Sequence, residues 1–309
     1  MEKRQMNAFS GKAMNQDFYP FTKGTIDMHV HSNPHALGKK NLNALQAVEQ
    51  ARAAGMAAIV LKCNFFPTGG LAYLLSRVFG DFKVFGGIVL NNSIGGINPA
   101  AVEKAIFYGE GNPGEFTKVI WMPTFSASMD VKFNRRATSE QVQVIRNAVV
   151  VPELLHVFDL IAKHNLVLAT GHLPEEEALP VVKAARQHGI SKIVLTHPSG
   201  VVPGISLSAQ KQAIELGALV ELSYVDTTEY YKKKYGHCQS TQDIVDFVRE
   251  VGPQSFILST DLGADAGVNP PPAIGMGLFI KDLLGLGLPK ETIEIMAIKN
   301  PSFLLGLET

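Results

Sequence analysis

Short apolar runs alternate with helix-periodic stretches eight times along this chain, and that alternation limits the fold more than any other feature. The runs Thr25–His31, Ala57–Lys62, Val84–Leu90, Lys118–Met122, Leu166–Thr170, Lys192–Thr196, Ala218–Ser223 and Phe256–Thr260 read as strands. A helix after each strand is what parallel neighbours require, because a parallel pair cannot be joined by a tight turn. With 309 residues, the chain exceeds the roughly 250 of a typical eightfold barrel. The expected architecture is therefore α/β, a distorted (β/α)8 TIM barrel forming a single domain over residues 22–309. A polar extension over 1–21 precedes it. An open doubly wound sheet uses the same alternation, but eight units at this length fit closure better.

Local signals set the helix edges. Gly55 and Gly189 suit left-handed caps, Pro99 suits a first turn, and Glu175, Glu176 and Glu177 sit where a helix N-terminus favours negative charge. The spacing breaks between about 123 and 152, a stretch too long for a plain βα loop. There Gln141–Ile145 and Ala148–Val151, around Arg146-Asn147, predict a hairpin excursion.

Composition narrows the function classes. Hydrophobic residues make up 46% and charged residues 18%, enough for a large core and too apolar for global disorder. Lys+Arg and Asp+Glu both number 28, so no basic excess points to nucleic acid or a membrane surface. Cys63 and Cys238 are the only cysteines, which argues for a reducing, cytoplasmic setting without a disulfide framework. The first twenty residues lack an apolar signal core, and Lys281 and Asp282 interrupt the best candidate for a membrane span.

His29-Val30-His31 closes the first strand run, where a period of two puts both imidazoles on one face. His172 follows the fifth run, His197 the sixth and Asp261 the eighth. In a βα barrel the C-terminal strand ends share one rim, so these five metal-type ligands converge although more than two hundred positions separate them. Each alone reads as an ordinary packed or loop residue; it is the set that points to a metal. Neutral imidazoles with one carboxylate suit a divalent ion, zinc by preference, with iron, manganese or nickel behind it.

The motifs IDMHVH, LATGHLPEEEA, IVLTHP, STDLG and the closing NPSFLLGL resemble the amidohydrolase superfamily, specifically a poorly characterised branch of its metal-dependent hydrolases. The resemblance runs from about residue 22 to the C-terminus, with the motifs in the family's order. It implies a distorted barrel holding one or two divalent ions, with His29, His31 and Asp261 on the more buried one and His172 and His197 on a second. It also implies that Asp261 takes the proton from the attacking water. Many two-metal members carry a carboxylated lysine or a glutamate at the end of strand four, whereas this chain reads Val119-Ile120-Trp121-Met122-Pro123-Thr124.

Lys62 at the end of strand two is the nearest substitute. An ammonium facing a dication is repelled, so an inward Lys62 is neutral, carbamylated and bridging, or turned toward an anionic substrate; otherwise it is a lysine snorkelling at the rim. Glu221 is a weaker ligand candidate. Around the rim, Arg135 and Arg136 could grip an anion bidentately, Tyr230 to Tyr235 with Lys232, Lys233 and Lys234 form a basic aromatic run, and Asn91, Asn92 and His35 could add hydrogen bonds. Gly109-x-Gly111-x-x-Gly114 matches the dinucleotide fingerprint in form only, since Pro113 interrupts it and a strand follows.

The resulting expectation is a metal-dependent hydrolase acting on an amide, lactone or ester of a small, anionic substrate, with Asp261 and Lys62 as catalytic groups. Association into a homo-oligomer is expected, as is common for such barrels. Two rival readings use the same residues: a metal-dependent non-oxidative decarboxylase, and a metal-binding barrel without turnover.

Overall fold

The computed structural model describes residues 18–308 except 39, 41, 148 and 265–268. Eight parallel strands follow one another around the sheet in chain order: β1 (Ile26–Val30), β2 (Ala58–Leu61), β3 (Lys83–Val89), β4 (Thr117–Trp121), β5 (Val167–Ala169), β6 (Ile193–Leu195), β7 (Leu219–Ser223) and β8 (Phe256–Ser259). The ring closes where the first strand meets the last. Val30 bridges Leu262 in parallel, His31 N–H donates to Leu262 O at 2.9 Å, and Asp261 N–H donates to His29 O at 3.0 Å. The Asp27 carboxylate locks this seam by accepting from His29 N–H (3.1 Å), Thr260 N–H (3.1 Å) and the Thr260 hydroxyl (2.5 Å).

Side chains sort by strand alternation. Ile26, Met28, Ala58, Val60, Phe85, Val89, Val119, Trp121, Val167, Ala169, Val194 and Ile257 fill the barrel interior, and Leu304 and Leu305 join them. Alternate strand residues such as Ile59, Leu61, Ile88, Ile120, Leu168, Ile193 and Leu258 pack outward against the helices. β1 departs from strict alternation: its register against β2 shifts between Asp27 and Val30. A bulge re-aims the side chains beyond it, and Met28 and His29 both end up on the inner side. Helix Asn300–Leu305 is tied on by Asn300 Nδ2, which donates to Phe256 O at 2.7 Å at the start of β8.

Helices follow the strands as the alternation requires, for example Pro152–Lys163, Glu175–Gln187, Leu207–Glu215 and Thr241–Val251. The last of these is capped by a reciprocal Ser240–Asp243 box and buries Ile244, Val245, Phe247 and Val248. Three features differ from the sequence reading. The excursion after β4 is mostly irregular: it opens with helix Ser128–Phe133, and its hairpin is only Ile145–Arg146 against Val149–Val150, with Ala148 outside the described residues. A further helix, Glu229–Tyr235, follows β7. Within the proposed polar extension, residues 1–17 lie outside the described residues, while Tyr19–Thr22 forms a helical turn packed on helix Pro272–Gly285.

Candidate metal centre

The strand ends open into a cavity of about 430 Å³ whose lining includes His31, Lys62, His172, His197 and Asp261. His29 lies beneath it, fully enclosed. Its Nδ1 pairs with Glu221 Oε1 at 2.8 Å, on the inner face of β7. This turns Nε2 toward the mouth, where Asp261 Oδ1 stands 2.9 Å away and is also 2.9 Å from His31 Nε2. Ligand atoms of His29, His31 and Asp261 lie within 4.8 Å of one another. His197 Nε2 is 3.9 Å from Asp261 Oδ2, and its ring stacks on His29 at 5.7 Å. The His172 ring meets His197 edge-on at 5.0 Å. The five residues expected to share a metal thus converge, with His29, His31 and Asp261 tightest.

Backbone geometry serves this convergence. Asp261 (φ 51°) and His197 (φ 24°) both adopt positive φ, which costs energy outside glycine and recurs at functional sites. Gly263 permits the seam to close, because a Cβ there would lie 1.9 Å from His31 O.

The electrostatics favour a cation. Burial opposes charge on His29, but Asp261 and Glu221 outweigh it, despite Lys62, and raise its pKa to about 9. Burial dominates elsewhere: it lowers His31 to about 4 and His197 to about 3, and it lowers His172 in spite of Asp130. Three imidazoles are therefore neutral near pH 7, the form that binds metal. Burial pushes the Asp261 carboxyl up, yet His29 and His31 hold it well below the ordinary carboxylate range. Both ring nitrogens of His197 are buried without a hydrogen-bond partner among the described residues. Such orphans are rare in folded proteins, and an ion at this position would satisfy one. The donor set therefore fits a divalent metal of the zinc type.

Lys62 is 3% exposed, so it does not snorkel to the rim. Its Nζ lies 2.9 Å from His29 Nε2 and 5.6 Å from the Trp121 ring centre. Burial lowers its pKa, against the pull of Asp261 and Glu221. Trp121 occupies the β4 position from which a bridging ligand was expected, and Gly87 makes room for it: a Cβ on Gly87 would lie 2.4 Å from the indole.

The substrate candidates are placed less favourably. Arg136 lines the cavity, but its guanidinium is engaged by Asp130 (2.5 Å), Glu140 (3.2 Å) and Phe125 O. Arg135 is exposed and outside the cavity lining. Asn91 spends its side chain holding the β4 excursion, bonding Asn64 O, Thr124 and Ser126 N–H. Tyr230, Tyr231, Lys234, Tyr235 and His35 do line the cavity.

Asp130 was not anticipated. It sits on helix Ser128–Phe133, is held by Arg136 and Asn134, and accepts from His172 Nδ1 at 2.9 Å. That bond fixes the tautomer and leaves His172 Nε2 as the free ring nitrogen. No spacing rule could have marked it, since its helix lies in the irregular excursion. Glu221, a weaker ligand candidate from the sequence, stands on the inner face of β7 as the partner of His29 Nδ1.

Solved structures of similar fold include a probable 2-pyrone-4,6-dicarboxylic acid hydrolase from Acinetobacter baumannii (TM-score 0.58, 13% identity, 92% of this chain and 100% of that one). An amidohydrolase from Pseudomonas aeruginosa (TM-score 0.57, 11% identity, 94% and 98%) is another. A third is 2,6-dihydroxybenzoate decarboxylase from Rhizobium (TM-score 0.57, 10% identity, 92% and 99%). At these identities the likeness is one of fold, the eight-stranded parallel α/β barrel described above. No curated protein matches the sequence. The profile of one family, described as a family of unknown function, matches residues 24–221. That stretch is well over half of the chain and carries four of the five converging residues, so the chain belongs to this family, DUF6282.

Proposed function

We propose that this protein is a metal-dependent hydrolase that cleaves a C–N or C–O bond at a carbonyl-type centre of a small, anionic substrate. The observation that carries the reading is the His29–His31–Asp261 cluster at the base of a 430 Å³ cavity. One divalent ion, zinc by preference, fits these donors, with His197 and His172 on its open side. A bound ion of this kind acidifies water from a pKa of about 15.7 to about 7 and polarises a substrate oxygen.

The chain's own groups complete the chemistry. Glu221 anchors His29 so that Nε2 faces the mouth. Asp261 Oδ1 faces His29 and His31, leaving Oδ2 to take the proton of the attacking water and return it to the leaving group. Lys234 on the cavity wall supplies positive charge for an anionic substrate. A non-oxidative decarboxylase would use the same pocket, and the absence of a charged β4 ligand keeps one metal sufficient for it. The hydrolase reading is preferred because Arg136, the arginine nearest the cavity, already serves Asp130.

Metal analysis of protein purified without added ions should give about one divalent ion per chain. Chelation should abolish hydrolysis of the lactone, amide or cyclic urea that a substrate screen identifies, and zinc should restore it. Failure to bind any ion after reconstitution overturns the proposal. Asp130→Asn should lower zinc affinity or turnover about 10- to 100-fold, the usual effect of losing an outer partner. The same variant should reduce the Nδ1–H tautomer of His172, read by ¹⁵N chemical shifts; an unchanged tautomer would refute this role.

A further inference from the structure

Asp226 lies in the turn Val225–Thr227 after β7 and lines the cavity with Val202, Val225 and Tyr231. It is 2% exposed, and among the described residues no donor reaches its carboxyl oxygens; its backbone carbonyl alone is engaged, by Gln239 N–H at 2.9 Å. Every other carboxylate at the site has partners. Asp261 has His29 and His31, Asp130 has Arg136, Asn134 and His172, and Glu221 has His29 Nδ1 and the His197 N–H.

Tyr231 Oη accepts from Val201 N–H at 2.8 Å, and among the described residues no hydrogen bond joins its hydroxyl to Asp226. Nor is there slack in the packing: a Cβ on Gly200 would lie 2.8 Å from Tyr231 Oη and 3.3 Å from Asp226 Oδ1. The loop that carries His197 is thus pressed against both groups. Burial first, then the nearby Asp261 and Glu221 carboxylates, push this carboxyl's pKa well up. A carboxyl this enclosed with no protein donor costs a fold stability, and an amide of the same shape would remove the charge repulsion. Its place in the cavity wall suggests that the missing donor arrives with a ligand.

We infer that Asp226 is a substrate-reading residue whose carboxyl accepts a hydrogen bond from an amide or ureido N–H on the bound molecule. Lys40, Lys62 and Lys234 line the same cavity, which disfavours a cationic donor and favours a neutral N–H on an otherwise anionic compound. The substrate class is then an amide- or ureido-bearing acid. The inference takes the cavity's role from the hydrolase reading, but not the cost of the unpaired carboxyl.

Calorimetric titration of the zinc-loaded protein with matched probes reads the contact: malonamate against malonate, succinamate against succinate, and glutaramate against glutarate. At one chain length or more, the amide acid should bind at least about tenfold tighter than the diacid, as expected when a buried group is paired rather than left unpaired. Asp226→Leu should erase that preference. No preference at any length, absence of binding included, overturns the inference.

Melting provides an independent reading. Asp226→Asn and Asp226→Leu should both unfold about 2–6 °C above the unsubstituted protein, with metal content unchanged. A lower Tm in both variants, which makes the carboxyl structural, overturns the inference, and so does loss of the ion, which makes it a ligand. If the unsubstituted protein binds no ion, the hydrolase reading fails instead, and the melting comparison still decides the case of Asp226.

Discussion

His31→Ala should leave a folded barrel that no longer holds its ion. His31 Nε2 stands 2.9 Å from Asp261 Oδ1, and the ring contributes one of the three donors that cluster most tightly. Losing an outer-shell partner costs about 10- to 100-fold in affinity, so losing a direct ligand should cost more, roughly a thousandfold. The fold should survive because His31 Nδ1 has no hydrogen-bond partner to forfeit among the described residues, and the seam contact at this residue comes from its backbone N–H. Inductively coupled plasma analysis of the dialysed variant, beside a thermal unfolding scan, tests both halves. Full metal occupancy in the variant would show that the ion, if any, sits elsewhere.

Asp261→Asn should remove turnover while changing the backbone least. Asp261 has φ 51°, a left-handed conformation that asparagine adopts more readily than any other substitute apart from glycine. The variant therefore isolates the loss of the carboxylate from the loss of the loop. A positioned general base contributes about 10²–10⁴-fold to rate, and this carboxylate also faces two imidazoles. A fall in kcat of roughly 10³-fold or more is expected with zinc in excess. Retention of a tenth of the activity would remove Asp261 from the proton-transfer role.

Much of this candidate site is legible in the sequence. The candidate ligands sit directly after apolar runs, and a barrel brings such positions to one rim, so His29, His172, His197 and Asp261 could be associated across more than two hundred residues. What escaped was set by contacts that leave no periodic trace. Asp130 lies on a six-residue helix inside an irregular excursion, and only folding brings it to His172. The stretch Tyr230 to Tyr235 read as a basic aromatic run on the rim, but not as the helix Glu229–Tyr235 that puts Tyr231 and Lys234 into the cavity wall. The bulge in β1 was invisible because the histidine spacing is the same with or without it. Arg136 shows the converse limit: the residue type matched an anion site, but a carboxylate six positions upstream takes its charge.

The cluster of donors also straddles the join between the first and last strands, where Asp27 and Thr260 meet across 233 positions of chain. An ion gripping both sides there would work as a clasp on a hoop. The free energy of its capture goes only to closed rings, amounting to about 2.7 kcal/mol when free zinc is a hundred times Kd. Scarcity of the metal would then spring the hoop open at one place, exposing the ends of two strands to proteases, and supply of the ion would govern how long each molecule lasts as well as whether it turns over.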